Sequence, residues 1–115
     1  MRYALLICTE EKAMAEATPE EAQASTAEYM AFGEAMGARG VLQGGERLYP
    51  TTDATTVRVR DGEVLTSDGP FAETKEQIAG LNVLECPDLD EAIEVAARHP
   101  TARIGAFELR PLWSS

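Results

Sequence analysis

The sequence has few of the residues from which metal and nucleophilic sites are built. It contains one histidine, His99, and two cysteines, Cys8 and Cys86, which lie far apart inside apolar stretches. Structural zinc sites take clustered cysteine and histidine ligands, and a nucleophilic triad needs a histidine beside its nucleophile. We therefore expect no metal and no cofactor, and we interpret both cysteines as reduced core residues of a cytosolic protein.

Basic residues are also scarce, with 10 bases against 20 acids and a formal net charge of −10. Such a balance repels the phosphates of nucleic acids and the anionic surface of a membrane, so we expect neither as a partner. Long apolar runs are absent too, since the stretch 3–8 is too short for a signal peptide or a membrane span. These absences favour a soluble, cytoplasmic protein.

What remains is the composition of one globular domain. Of the 115 residues, 44% are hydrophobic and 26% are charged. A chain of this length can bury one apolar core but not two. We therefore treat residues 1–115 as a single domain.

The residue pattern predicts an alternation of strands and helices. Strands are expected at residues 2–8, 41–48, 77–86 and 104–109. Helices are expected after Thr18 and Asp88, because each of these caps is followed three residues later by a glutamate, and residues 10–17 could add a helical turn. Between the second and third of these strands, the alternating segments 55–60 and 63–66 flank Asp61-Gly62, which is typical of a tight hairpin.

The order of these elements predicts the fold class. Without the hairpin it is βαββαβ, the α+β pattern of ferredoxin-like domains, with both helices on one face of the sheet. The first strand is apolar on both of its faces, through Tyr3, Leu5 and Ile7 on one and Ala4, Leu6 and Cys8 on the other. Because two helices leave one apolar face bare, we expect a second copy to cover it in an isologous homodimer.

One loop carries a specific motif, Asp68-Gly69-Pro70-Phe71 followed by Ala72-Glu73-Thr74-Lys75-Glu76. In this loop, in Gly44-Gly45 before Leu48-Tyr49-Pro50, and in the closing segment 108–111, the chain resembles the DGPF-domain branch of the YCII-related family. The resemblance implies a dimeric α+β barrel, in which two ferredoxin-like sheets pack face to face. It also implies a link to extracytoplasmic-function sigma factors, which is frequent in that branch.

YCII-type members are similar to enzymes through a proposed His–Asp pair. The resemblance places the histidine of that pair at Tyr29 and the aspartate at His99, so neither residue type is retained. The pair therefore does not transfer to this chain, although a Tyr–His pair could also move protons.

Three side chains are candidates for acid–base catalysis, and each has a structural alternative. Asp68 is either a base at a cavity mouth or a turn residue that bonds its own backbone, with Phe71 anchoring the loop in the core. His99 either acts as acid or base near neutral pH or caps a helix end in water, where the helix dipole favours its charged form. Tyr29 either faces the cavity or packs in the helix core.

Four side chains near the loop are candidates for ligand binding: Arg58, Phe71, Glu73 and Lys75. Arg58 either clamps an anion or keeps an edge strand solvated.

Two functions fit these observations. The first is a small-molecule-binding barrel, whose candidate activity is cofactor-free proton transfer, elimination or hydrolysis on a small organic acid or lactone-like compound. The second is a non-catalytic accessory or regulatory protein that binds a protein partner. The residues leave open whether the protein is an enzyme.

Overall fold

The computed structural model describes residues 1–114 of the chain. Its strands are β1 (Arg2–Thr9), β2 (Leu42–Arg47), β3 (Thr55–Arg60), β4 (Glu63–Asp68), β5 (Gln77–Glu85) and β6 (Ala106–Pro111). Its helices are α1 (Glu11–Ala15), α2 (Pro19–Ala38) and α3 (Leu89–Ala97), with short 3₁₀ turns at Thr51–Asp53 and Pro100–Arg103. Within residues 1–114, no helix has the length and hydropathy needed to cross a membrane.

Four strands form an antiparallel sheet in the order β2-β5-β1-β6. Helix α2 connects β1 to β2 across β5, and α3 connects β5 to β6 across β1. These crossings are the split βαβ units of the ferredoxin-like fold. The predicted α+β fold class is therefore confirmed.

Both long helices begin at their predicted caps. Thr18 Oγ1 accepts the backbone N–H of Glu21 at 3.1 Å, and the Glu21 carboxylate accepts the backbone N–H of Thr18 at 3.2 Å. The Asp88 carboxylate accepts the backbone N–H of Glu91 at 2.9 Å. The side chain of Glu91 turns instead to Arg39, which follows α2, so an ion pair joins the end of α2 to the start of α3.

The apolar core lies between one face of the sheet and the helices α2 and α3. Leu5 on β1 and Leu84 on β5 are fully buried in the same core cluster as Phe32 and Met36 of α2. The buried residues of α3 are Ala92, Val95 and Ala96.

One side of α3 is less buried than its sequence pattern indicates. The spacing of Leu89, Ala92, Ile93 and Ala96 predicts a shared buried face, yet Leu89 and Ile93 are each about half exposed. A helix that buries Ala92, Val95 and Ala96 places Leu89 and Ile93 at the margin of its buried side, because each residue turns the helix by about 100°.

Strands β3 and β4 form a separate two-stranded sheet. Their connection, Asp61-Gly62, has positive φ at both residues, 52° and 77°, as a type I′ turn requires. The predicted hairpin is confirmed, although β4 continues to Asp68, two residues beyond the prediction. Gly69 then follows with a φ of +104°, which begins the loop 69–76.

Close backbone approach explains why glycine stands at particular positions. The register of β2 shifts between Leu42 and Gly44, and a Cβ at Gly45 would lie 3.1 Å from the carbonyl oxygen of Leu81. Gly44-Gly45 within a strand indicates a bulge or a close backbone approach, and both are observed. Before β6, a Cβ at Gly105 would lie 2.4 Å from the carbonyl oxygen of Cys8.

We expect Gly105→Ala to lower the free energy of unfolding by about 2–3 kcal/mol, because the backbone of β1 would have to move away from the new methyl group. Urea or thermal unfolding measures this loss. Gly44→Ala is the control, since a Cβ at Gly44 meets nothing within 4 Å. Equal stability of the two variants would contradict the close approach at Gly105.

Candidate functional site

The structure brings Tyr29 and His99 together. Tyr29 lies on α2, whereas His99 lies between α3 and the turn Pro100–Arg103. Their ring centroids are 5.2 Å apart in an edge-to-face arrangement. Phe32 and Phe107 contact the same imidazole at 4.8 and 5.2 Å, so aromatic rings surround His99.

His99 is buried, with 4% of its surface exposed, so the expectation of a helix cap in water is wrong. Its Nδ1 accepts the backbone N–H of Thr101 at 3.1 Å, and the residue caps the start of the turn Pro100–Arg103. Because Nδ1 is an acceptor, the proton of the neutral ring belongs on Nε2.

Burial lowers the pKa of His99 to about 4. The neighbouring rings replace water around the imidazole and supply no negative charge to stabilise a cation. The loss of hydration therefore outweighs the dipole of α3, which was expected to favour the charged form. At neutral pH, His99 is an uncharged hydrogen-bond donor and a weak base.

A second polar contact fixes Tyr29. Its hydroxyl forms a hydrogen bond with Oγ1 of Thr101, a residue that is almost fully buried. This contact ties the middle of α2 to the turn that follows α3. Sequence reasoning missed Thr101, and the one available signal was His99-Pro100, which resembles an N-cap followed by a first-turn proline.

A groove of about 530 Å³ runs between α2 and the segment 97–103. Phe32, Met36 and His99 line it, and Glu28 and Arg103 stand at its rim, where they form an ion pair at 2.6 Å. Because this rim arginine is already paired with a carboxylate, the groove has little attraction for an anion.

The loop 69–76 forms a second region, separate from this cluster. Asp68 is exposed at the end of β4, and no hydrogen bond or ion pair of its carboxylate is found among residues 1–114. The turn is held by its backbone, since the Gly69 carbonyl accepts the Thr56 hydroxyl and the Gly69 N–H donates to Ala54, both at 2.8 Å. The structure thus brings Tyr29 and His99 together without Asp68.

Phe71 is 83% exposed, so the prediction that it anchors the loop in the core is wrong. The loop extends from the separate hairpin sheet, which leaves this ring away from the core. The guanidinium of Arg58 lies 5.7 Å from the ring centroid and forms an exposed cation–π pair.

Glu73 and Lys75 line a shallow groove of about 390 Å³ with residues of α1. Lys75 Nζ lies 3.9 Å from a carboxylate oxygen of Glu10, in an exposed pair that contributes little to stability. The Glu11 carboxylate accepts the N–H and the hydroxyl of Thr51 at 2.8 and 2.6 Å, so it serves the local fold. Across the described range 1–114, no group of three potential metal ligands is found.

The sheet face opposite the helices has an apolar centre, which we call the open face. It consists of Ala4, Leu6, Cys8, Leu81 and Val83, all partly exposed. The register places Glu46 of β2 beside Leu81 and Glu108 of β6 beside Leu6, so a carboxylate flanks each side.

The pKa of the Cys8 thiol reflects the burial and the negative charge at the open face. Burial, followed by the negative charges of Glu108 and Glu76, raises the pKa of Cys8. The thiol is therefore protonated at neutral pH and is a poor nucleophile.

The low pKa of His99 predicts a pH dependence of stability. Above pH 6.5 the ring is neutral in both folded and unfolded chains, and between pH 6.5 and 4 only the unfolded chain takes up the proton. This uptake removes up to about 3 kcal/mol of stability as the pH falls through that window, and no more below it.

His99→Asn isolates this contribution, because asparagine can still accept the Thr101 N–H but does not titrate. The free energy of unfolding of both proteins is measured by urea denaturation from pH 7 to pH 4. The carboxylates contribute to both curves, so the difference between them should shrink as the pH falls. Parallel curves would show that His99 is not held neutral.

Comparison with known proteins places the chain in a family. The family model of the YCII-related domain matches residues 1–114. An uncharacterised protein of Rhizobium meliloti (strain 1021) is 38% identical over 114 residues, which cover 97% of this chain and 92% of that protein. The resemblance read from the sequence is confirmed at the level of this family, and the DGPF branch stays a prediction from the sequence motifs. The chain belongs to the YCII-related family.

Proposed function

We propose that the chain forms a homodimer through its open face and that the space enclosed between the two sheets binds a small organic molecule. The observation that carries this proposal is the apolar centre of a sheet face, Ala4, Leu6, Cys8, Leu81 and Val83, that neither α2 nor α3 covers. Apolar surface of this kind gains free energy when it leaves water. An identical face on a second copy is complementary to it under two-fold symmetry.

The charges around the open face narrow the class of ligand. Glu46 and Glu108 stand on either side of the apolar centre, and the nearby Arg110 is paired with Glu108. Carboxylates accept hydrogen bonds and repel anions. A small neutral or basic compound with hydroxyl or amine donors therefore fits better than the organic acid considered from the sequence.

The positions of the candidate catalytic residues favour binding over catalysis by His99. His99 packs among core residues on the helix side of the sheet with the partly exposed Tyr29 beside it, and His99 is a weak base at neutral pH. An acid–base step within the enclosed space would use Glu46 or Glu108, the carboxylates that flank it.

An accessory protein that binds a protein partner, such as an extracytoplasmic-function sigma factor, is the second candidate. The exposed Arg58–Phe71 pair supports it, because arginine and aromatic side chains are enriched at protein interfaces. The exposed Glu73 and Lys75 on the same loop could extend such a surface.

The homodimer is tested by light scattering at micromolar concentration, where we expect two copies of the wild-type chain. Leu6→Glu should give a monomer, since the dimer would bury an unpaired carboxylate from each copy. Ile93→Glu, on the exposed side of α3, should leave the dimer intact. Circular dichroism verifies that each variant is folded, and Ala4→Glu is a second disruptive variant. A monomeric wild type would contradict the proposal.

Ligand binding is tested by a thermal-shift screen with neutral, basic and acidic organic compounds. A bound compound at about 100 times its Kd should add about 2.7 kcal/mol of stability. Alkylation of Cys8 by iodoacetamide at pH 8.5 reports the place of binding, with the buried Cys86 as internal reference. A compound at the open face should both raise the melting temperature and slow the modification of Cys8. Stabilisation that leaves Cys8 equally reactive would place the compound elsewhere and contradict the proposal.

A further inference from the structure

The hairpin β3–β4 stands apart from the rest of the fold. It forms its own two-stranded sheet, and every residue of both strands is exposed except Thr56, which is partly buried. An isolated two-stranded hairpin is marginally stable in water unless it packs against another surface. The described chain supplies no such surface to this hairpin.

One side of the hairpin is apolar, and we call it the valine face. The register pairs Val59 with Val64 and Val57 with Thr66, which places these side chains on one side of the ribbon. Val57 is 59% exposed, Val59 is 57% exposed and Val64 is 68% exposed. The other side carries Arg58, Arg60 and Leu65. The hairpin therefore has the two-sided pattern of a strand pair that is covered on one side.

The overall dimensions show that the hairpin extends away from the body. The radius of gyration is 16.1 Å, and the molecule measures 48 by 44 by 19 Å. A compact domain of this length has a radius of gyration of about 13 Å. The 19 Å dimension corresponds to one sheet and one layer of helices, so the hairpin widens a flat molecule instead of folding back over it.

The open face has a small flat footprint for a dimer interface. With strands about 4.8 Å apart and a rise of about 3.4 Å per residue, four strands of about six residues cover about 400 Å². A standard interface buries about 800 Å² of accessible surface on each partner, so additional contact area favours a stable dimer. The valine face adds about 200 Å² by the same geometry, and the surface that it covers on a second copy adds as much again.

We propose that the valine face of each hairpin packs against the second copy, so that the two hairpins act as reciprocal arms of the dimer. This inference rests on the homodimer of the proposed function and adds a contact that enlarges its interface. We choose a second copy as the partner because its own hairpin has the same exposed valine face. Under two-fold symmetry, the hairpin of each chain packs on the other chain, and both valine faces leave water.

The matched pair Val64→Thr and Leu65→Thr tests the inference. The two residues are neighbours on β4 with side chains on opposite sides, and threonine keeps a high strand propensity at both positions. The triple variant Val57→Thr, Val59→Thr, Val64→Thr strengthens the test while keeping the β-branched shape. We expect Val64→Thr to raise the dimer Kd about tenfold and the triple variant about 100-fold or more, because each hydroxyl is buried once in each copy. Leu65→Thr should change it less than threefold.

Sedimentation across a range of concentrations measures these dissociation constants, and amide hydrogen exchange gives an independent readout. In the wild type, protection of the hairpin amides should increase with protein concentration, since dimerisation supplies the cover. The triple variant should show little protection at any concentration at which it is a monomer.

The outcomes separate the two proposals. A wild-type monomer would contradict the homodimer itself. A wild-type dimer that the triple variant forms with equal affinity would leave the homodimer standing and overturn the role of the hairpin. Equal weakening by Val64→Thr and Leu65→Thr would also overturn the assignment of the valine face.

Discussion

The central strands of the sheet are apolar on both sides, and the chain has helices for only one of them. Leu5 and Leu84 face α2 and α3 and are fully buried, while Leu6 and Leu81 face away and are only partly covered. Because alternate residues of a strand point to opposite faces, this division follows directly from the sequence of β1 and β5. Both the dimer and the ligand space that we propose depend on this difference, since the helices cover one apolar face of the sheet and leave the other exposed.

His99 illustrates how burial decides the chemistry of a side chain. By position alone it is a titratable residue after a helix, in water and close to neutrality. The rings of Tyr29, Phe32 and Phe107 remove the water, and the imidazole becomes a neutral part of the core. The same position in the chain would carry a different chemistry without those three rings, two of which lie on α2 and one on β6.

Local signals in the sequence were sufficient for most of the fold. The caps at Thr18 and Asp88 and the turn at Asp61-Gly62 depend on neighbouring residues, and each was identified correctly. The order of elements then led to the ferredoxin-like sheet, because few arrangements connect two βαβ units in this order.

Features that depend on distant contacts could not be read in this way. The burial of His99 depends on the ring of Phe32, which is 67 positions away along the chain, and on that of Tyr29, which is 70 positions away. No local sequence pattern predicts these contacts. The exposure of Phe71 follows from the separation of the hairpin from the core, which its own residues do not reveal. The pairing of Tyr29 with His99 was reached through the family resemblance, and the contact of Tyr29 with Thr101 was missed.

The two edge strands of the sheet, β2 and β6, limit self-association through the addition of further strands. On β2, the irregular register at Gly44 and the charged Glu46 and Arg47 interrupt the row of groups that an added strand would need. On β6, Pro111 has no N–H to offer, and Arg110 adds a charge beside it. Edge strands of this kind resist the repeated edge-to-edge pairing that leads to fibres. In the dimer that we propose, association across the open face ends at two chains, so the apolar surface of each sheet is covered and does not promote aggregation.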